Sequence, residues 1–406
     1  MVREVGRAMS GSPTPLERLT PPRIGPFREG AFRSPLHSVR VASNLGVSLG
    51  VAFTICFITG FLSHLIQHPP AFFEWPARPS WLYRVSQGVH VTTGIASIPL
   101  LLAKLWTVYP RFWTWPPLRG AAQVIERLAL LPLVGGSLFL LFTGVGSISR
   151  WFPWDFSFPP AHYAAAWITI GALIVHVGAK AGAVRRALSR TSSEAIGGAA
   201  ADERAWGGLS RRGFLGAAFG GAAALVVATV GQTLSPFAAI SVLAPRDPRV
   251  GPQGLPVNKT ASSAGVVDAA MSASWRLIVE GNVSTPLSLS LDELRAMGQR
   301  DADLVIACVD GWSAAGRWRG VPLRDLLSLA GAPAKASATV TSLQRPGAPY
   351  ASSEIGADQL EDLDTMLALE LNGAPLHIDH GFPVRLIGPN RPGVQQTKWV
   401  ASVVVT

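Results

Sequence analysis

The sequence predicts a multidomain chain: an all-α transmembrane helical bundle of four helices plus a fifth anchor helix, followed by an α+β, strand-rich domain. Three observations predict it. Of 406 residues, 48% are hydrophobic and only 15% are charged, a balance unlike that of an ordinary soluble domain. Charge is unevenly placed: residues 1–244 hold 21 Lys+Arg against 9 Asp+Glu, net +12, whereas residues 245–406 hold 14 against 16, net −2. Long apolar runs fill the first part, and short apolar segments between Gly/Pro turns fill the second, which separates membrane helices from strands.

Residues 1–33 are rich in Pro, Gly and Arg without an apolar period and read as a disordered cytoplasmic tail. The first apolar run comes too late for a cleavable signal peptide. Residues 34–190 read as a four-helix membrane domain with runs over about 35–66, 86–108, 124–148 and 161–183, each near or above the roughly 20 residues a bilayer requires. Basic residues gather in the tail, after the second run (Lys104, Arg111, Arg119) and after the fourth (Lys180, Arg185, Arg186, Arg190). The positive-inside rule then puts the N-terminus in the cytoplasm and the C-terminal domain on the outer, periplasmic or extracellular, side. The same rule accounts for the positive excess. No basic stripe with interleaved aromatics marks a nucleic-acid partner.

Four histidines stand out in this half. His90 opens the second run at its outer end, His162 opens the fourth, His176 follows fourteen residues later, and His37 starts the first run on the inner side. Fourteen residues make about 21 Å and nearly four turns, so His162 and His176 share a helix face. Histidine inside a membrane is costly and usually functional. Two pairs at two depths suit b-type haem with axial imidazoles: His90 with His162, and His37 with His176. His64 and His68 are outer-edge alternatives to His90, and interfacial histidines on a plain four-helix anchor are the other reading. The spacing and topology resemble the dihaem cytochrome b subunits of membrane formate dehydrogenases and hydrogenases.

Residues 191–209 read as a cytoplasmic linker. Residues 210–236 begin with Ser210-Arg211-Arg212-Gly213-Phe214-Leu215-Gly216, which looks like a twin-arginine export signal, and continue as the fifth apolar run. Residues 237–265, rich in Pro and Gly, read as an extended connector. Beyond it, strands are predicted near 275–283, 304–309, 338–343, 383–387 and 399–405, and a strand or short helix at 363–371. Ser290 and Glu293 form a capping box for a short helix, and a second short helix is predicted over 322–330.

The chain has two cysteines. Cys56 lies in a membrane run, so Cys308 has no disulfide partner within its own domain. A lone thiol between a buried strand and a Gly-containing turn is a candidate soft metal ligand or nucleophile; the alternative is a free cysteine packed as a small hydrophobe.

Cys308-Val309-Asp310-Gly311-Trp312-Ser313 with Trp318-Arg319-Gly320-Val321-Pro322-Leu323 resembles the molybdopterin-binding domain of the sulfite oxidase family. Leu367-Ala368-Leu369-Glu370-Leu371-Asn372-Gly373, His380-Gly381-Phe382-Pro383-Val384-Arg385, Gly393 and Lys398-Trp399 continue the match. The resemblance is to the bacterial branch that includes sulfoxide-reducing enzymes. It implies a molybdopterin domain over residues 266–406 with an upstream contact at Asn258. It implies Cys308 as the molybdenum ligand, with Asn258, Ser342, His380, Arg385, Gly393, Val394, Gln395 and Lys398 around the cofactor. Arg317 and Arg319 are candidate catalytic cations for an oxyanion, or alternatively contacts to the pterin tail or a partner. There is no tyrosine shortly after Cys308 or beside His380, a departure from the sulfite-oxidising arrangement.

The expected function is a membrane-bound molybdenum oxidoreductase. It would perform oxygen-atom transfer on a small sulfoxide- or sulfite-like substrate outside the cytoplasmic membrane, exchanging electrons with the quinone pool through one or two b-type haems. The alternatives are a haem-free membrane-anchored molybdopterin domain served by a soluble electron carrier, and a non-catalytic pterin-fold binding module.

Overall fold

A computed structural model describes residues 23–28, 30–32, 34–113, 115, 121–189 and 208–406. Most of the predicted tail (residues 1–22, 29 and 33) and of the predicted linker (191–207) lies outside the described residues, as does residue 190. Five long helices come first: α1 Val39–Gln67, α2 Leu82–Val108, α3 Ala121–Ser149, α4 Phe158–Ser189 and α5 Arg211–Val227. All five are long and apolar enough to cross a bilayer, where a helix satisfies every interior backbone group by itself. By length and composition the chain is a multi-pass membrane protein.

Two helix starts differ from expectation. α2 begins at Leu82, so His90 lies two turns inside it, because the polar segment Arg84–Gln87 continues the helix ahead of the apolar run. His37 belongs to a 3-10 turn, Pro35–His37, that Ser34 caps before α1.

The chain divides into two compact units. The first comprises the described parts of residues 1–54, 96–143 and 156–223. Its core joins Val41, Leu45 and Leu49 of α1, Leu100 and Leu101 of α2, and Ala218 and Ala222 of α5. Small residues bring its helices close. Gly46 leaves room for Lys104, whose Nζ would lie 3.0 Å from a Cβ there and donates to the Ala42 carbonyl.

The second unit comprises residues 55–95, 144–155 and 224–406. After α5 it runs through α6 Ala261–Ala264 and α7 Val267–Met271, then β1 Leu277–Gly281, β2 Leu287–Leu289, α8 Leu291–Ala296, β3 Arg300–Ala307, β4 Ser313–Pro322, α9 Leu323–Leu329, β5 Ala338–Ser342, β6 Ser352–Ile355, α10 Ala357–Glu361, β7 Met366–Leu371, β8 Ala374–Pro375, β9 Arg385–Ile387 and β10 Val400–Val405. The capping box is formed: Ser290 N donates to Glu293 Oε2 at 2.7 Å and Glu293 N to Ser290 Oγ at 3.2 Å.

One sheet has the order β2-β1-β10-β5-β6, with β1 and β10 parallel. The other has β3-β4-β7-β8, with β9 also paired to β7. β7 is apolar on both faces because it separates two cores. Leu367 and Leu369 face a cluster containing β1, β5, β10, α8 and α9 residues. Met366, Ala368 and Leu371 face a cluster with Leu304, Ile306, Trp312, Trp318 and Cys308. β4, the longest strand at ten residues, escaped prediction because Gly316 and Gly320 interrupt its alternation. Gly320 is forced, since a Cβ there would lie 2.2 Å from the Leu367 carbonyl oxygen, and one at Gly316 would press Leu371 Cδ1 at 2.7 Å.

Candidate active site

β3 ends at Ala307, so Cys308 sits at the strand terminus, closed by a tight loop in which Gly311 N donates to Cys308 O and Cys308 N to Trp312 O. Its side chain is buried, at 5% exposure. Two N–H groups converge on the sulfur: Asn258 Nδ2 at 3.2 Å and Asp310 N at 3.4 Å. Asn258 Nδ2 also donates to Asp310 Oδ2 at 2.8 Å, and Arg150 Nη1 stands 3.5 Å from the same oxygen. Burial, then the Asp310 carboxylate, push the Cys308 thiol well above its ordinary range. Burial likewise raises the Asp310 carboxyl, opposed by Arg150.

A loop from β9 lies against this strand end. Ala307 and Pro392 form a parallel bridge. Gly393 sits so close that an added Cβ would lie 3.0 Å from Ile306 Cγ2 and 3.6 Å from Cys308 Cα. Gly393, Val394 and Gln395 form a 3-10 turn. Arg391, buried beside it, binds Gln395 O, Glu354 O and Gln359 Oε1.

The remaining cofactor candidates form a second cluster. His380 Nε2 is 2.7 Å from Pro252 O, and Arg385 Nη1 donates to His380 O at 3.2 Å. Between them Gly381 takes φ +116°, and a Cβ there would touch both Arg385 Cβ and Lys398 Cβ at 3.1 Å. Lys398 Nζ donates to the carbonyls of Lys259 and Asp379. Ser342 Oγ, at the end of β5, donates to Lys398 O at 2.8 Å.

Burial dominates these groups, and Asp379 opposes it only in part at Lys398. Burial lowers Arg385 to about 9. Burial, then the neighbouring Arg385 charge, lower Lys398 to about 7. His380 falls to about 4 through burial, opposed by its bond to Pro252 and reinforced by Arg385 and Lys398. Arg385 Nε and Asn258 Oδ1 are buried without a protein partner, a cost of about 1–3 kcal/mol each unless something satisfies them. A buried thiol that receives two N–H bonds, and the buried Arg385 and Lys398 whose charged forms burial disfavours, fit a soft metal held by a ligand with an anionic tail.

Arg317 and Arg319 are not brought to this site by any contact. They alternate with Trp318 on β4, and Trp318 packs in the Cys308 cluster, so the arginines face the opposite side. There they are 68% and 49% exposed and reach Asp301 at 3.4 and 3.9 Å.

Several site residues escaped the sequence. Asp310 stood within the motif without an assigned part. Arg391 carried no pattern. Tyr350, held at φ 63°, lies near enough that Asp310 and Cys308 add to the burial that raises its phenol. It is 42 positions after Cys308, beyond the reach of any local motif.

Among the histidines, His90 Nδ1 is 2.9 Å from Cys56 O, and Gly60 makes room for its ring: a Cβ there would be 2.8 Å from His90 Cε1. His162 Nδ1 is 2.8 Å from Thr143 Oγ1. His37 Nδ1 is 3.1 Å from Thr107 O, with its ring 4.5 Å from that of Trp106. Such Nδ1 bonds fix an imidazole that ligates through Nε2. His176 lies within α4.

Residues 264–406 match the family model for the oxidoreductase molybdopterin binding domain. The chain is 34% identical to the putative protein-methionine-sulfoxide reductase subunit YedZ1 of Azospira oryzae, over 33% of this chain and 50% of that protein. It is 32% identical to sulfite oxidase of Gallus gallus, over 34% and 36%, and 33% identical to the protein-methionine-sulfoxide reductase catalytic subunit MsrP of Xanthomonas axonopodis, over 32% and 44%. The chain thus spans half or less of the length of these relatives. Residues 264–406 form a molybdopterin-binding oxidoreductase domain of the sulfite oxidase family.

Proposed function

We propose that this chain is a membrane-bound molybdenum oxidoreductase that removes oxygen from a small sulfoxide outside the cytoplasmic membrane, with electrons drawn from the quinone pool through b-type haem. The single observation that carries the reading is the convergence of Asn258 Nδ2 and Asp310 N on the buried Cys308 sulfur. Molybdenum held by the pterin supplies two-electron oxygen-atom exchange at sulfur. The reduction balances as one sulfoxide, two electrons and two protons giving one thioether and one water.

The chain's own residues do the rest. Cys308 provides the thiolate. Asn258 and the Asp310 backbone stabilise its charge, since N–H bonds to an anion are about twice as strong as neutral ones. Lys398 and Arg385 would neutralise the anionic part of the cofactor, with the neutral His380 ring beside them, and Gly393 allows the loop 390–396 to lie against the strand end that carries Cys308. Where haem is bound, His37, His90, His162 and His176 would supply its imidazole ligands. The Nδ1 bonds of His37, His90 and His162 support that part. Arg317 and Arg319, paired with Asp301, are left as surface charge.

The deciding experiment uses the full chain in detergent or nanodiscs. Molybdenum is expected in the wild type and not in Cys308→Ser. Dithionite-reduced protein is expected to show a bis-imidazole haem spectrum and to be reoxidised by methionine sulfoxide. Haem reduction by sulfite instead would reverse the direction, and an absent Soret band in haem-replete cells would remove haem from the scheme.

A further inference from the structure

The strand end that carries Cys308 is not held by the sheet domain alone. Gln87, in the second turn of α2, donates Nε2 to the Val309 carbonyl at 2.6 Å. Thr233, just beyond α5, donates Oγ1 to the Gly311 carbonyl. Arg150, at the end of α3, faces Asp310. These groups all belong to one compact unit. Three membrane segments therefore grip residues one, two and three positions after the thiol.

The sequence is built for close approach here. A side chain at Gly311, whose φ is +90°, would meet Val91 Cγ2 at 2.8 Å, and one at Gly88 would meet Thr233 Cγ2 at 3.0 Å. Ala307 and Val309 pack with Ile66 and Tyr83 in one apolar cluster. The loop 390–396 is held as well: Tyr83 N donates to Asn390 Oδ1 and Gln395 Nε2 to Ile66 O, both at 2.7 Å.

The geometry points to Gln87 and Thr233 as positioning residues for the metal site: the membrane segments, not the sheet domain alone, set where the Cys308 sulfur sits. This rests on the reading of Cys308 as metal ligand. Gln87 precedes His90 by three residues, under one helical turn, so one rigid helix carries both the grip on the Cys308 loop and a candidate iron ligand. The spacing of the two centres is then fixed by α2 itself.

The test uses the full chain with Gln87→Met and Thr233→Val, which keep shape and remove the donors, and with Thr233→Ser, which keeps the hydroxyl. In protein made without pterin cofactor, alkylation of Cys308 by iodoacetamide, followed by mass mapping with Cys56 as internal reference, is expected to be about tenfold faster in the double variant. Thr233→Ser is expected to stay near the wild-type rate. In loaded protein, molybdenum content is expected to hold while the Mo(V) electron paramagnetic resonance line shape changes. Wild-type alkylation rate and line shape in the double variant would overturn the proposal. If the double variant does not accumulate, Gln87→Met alone against Thr233→Ser carries the same comparison. Wild-type protein devoid of molybdenum would instead sink the metal reading, and the alkylation result would still judge the grip.

Discussion

Asn258 Nδ2 lies 3.2 Å from Cys308 Sγ and donates to it across 50 residues of chain. Its other bond, to Asp310 Oδ2 at 2.8 Å, holds the amide in the orientation that points N–H at sulfur. A hydrogen bond to a charged acceptor contributes about 1.5–3 kcal/mol. Asn258→Leu is therefore expected to lower molybdenum retention during purification by tenfold or more, and Asn258→Asp to lower it further by placing a carboxylate against a thiolate. Metal analysis of the two variants beside wild type checks this. Retention equal to wild type in both would show that the amide does not support the thiolate.

The β4 arginines give the opposite expectation. Arg317 and Arg319 pair at 3.4 and 3.9 Å with a half-exposed Asp301, a kind of surface pair that contributes about 0–1 kcal/mol. The double variant Arg317→Ala, Arg319→Ala is expected to change stability by under about 1 kcal/mol and to leave kcat/KM for sulfoxide within about twofold. A loss of tenfold or more in kcat/KM with an unchanged Tm would return them to the catalytic machinery.

The difference between these two predictions shows what the sequence makes legible. Cys308 and its loop were readable because a lone cysteine ends an apolar run, and the Ser290–Glu293 box because capping is local. The faces of Arg317 and Arg319 depend on β4 being a strand, and Gly316 and Gly320 concealed that. Those glycines answer to β7, some fifty residues away, not to their neighbours. The grip on the Cys308 loop was less legible still. Tyr83 and Asn390 are 307 positions apart, and single polar residues such as Gln87 and Thr233 look, in sequence, like any others at a helix end.

Gly320 offers a direct test of that long-range constraint. An alanine there would set Cβ 2.2 Å from the Leu367 carbonyl oxygen and 2.6 Å from Ala368 Cα. Both are backbone atoms of the strand between two cores, so no side-chain rotation relieves the clash. Gly320→Ala is expected to cost at least about 3 kcal/mol, in the range of overpacking at a core position. Thermal unfolding of the cofactor-free protein should show it as a large fall in Tm, and a shift under 2 °C would mean that β4 and β7 separate readily at that point.

The cation cluster makes the stability of the cofactor-free protein depend on pH in a stated direction. Lys398 titrates near 10.5 when exposed but at about 7 in the fold, chiefly from burial and then from Arg385, with Asp379 opposing and Lys259 adding. Between those values the unfolded chain holds a proton that the folded one has released, so stability rises with pH across about 7 to 10.5. Below about 7 both states are protonated and the full desolvation cost is present. His380, moved from 6.5 to about 4, adds a similar rise across about 4 to 6.5 for the same reason. An anion bound against Lys398 favours its charged form and lifts its folded value back up, which flattens the upper rise. Tm of cofactor-free and loaded protein, measured from pH 6.5 to 9.5 in the same nanodiscs, should therefore climb in the first and change little in the second. Parallel curves would mean that Lys398 does not face the anionic part of the cofactor.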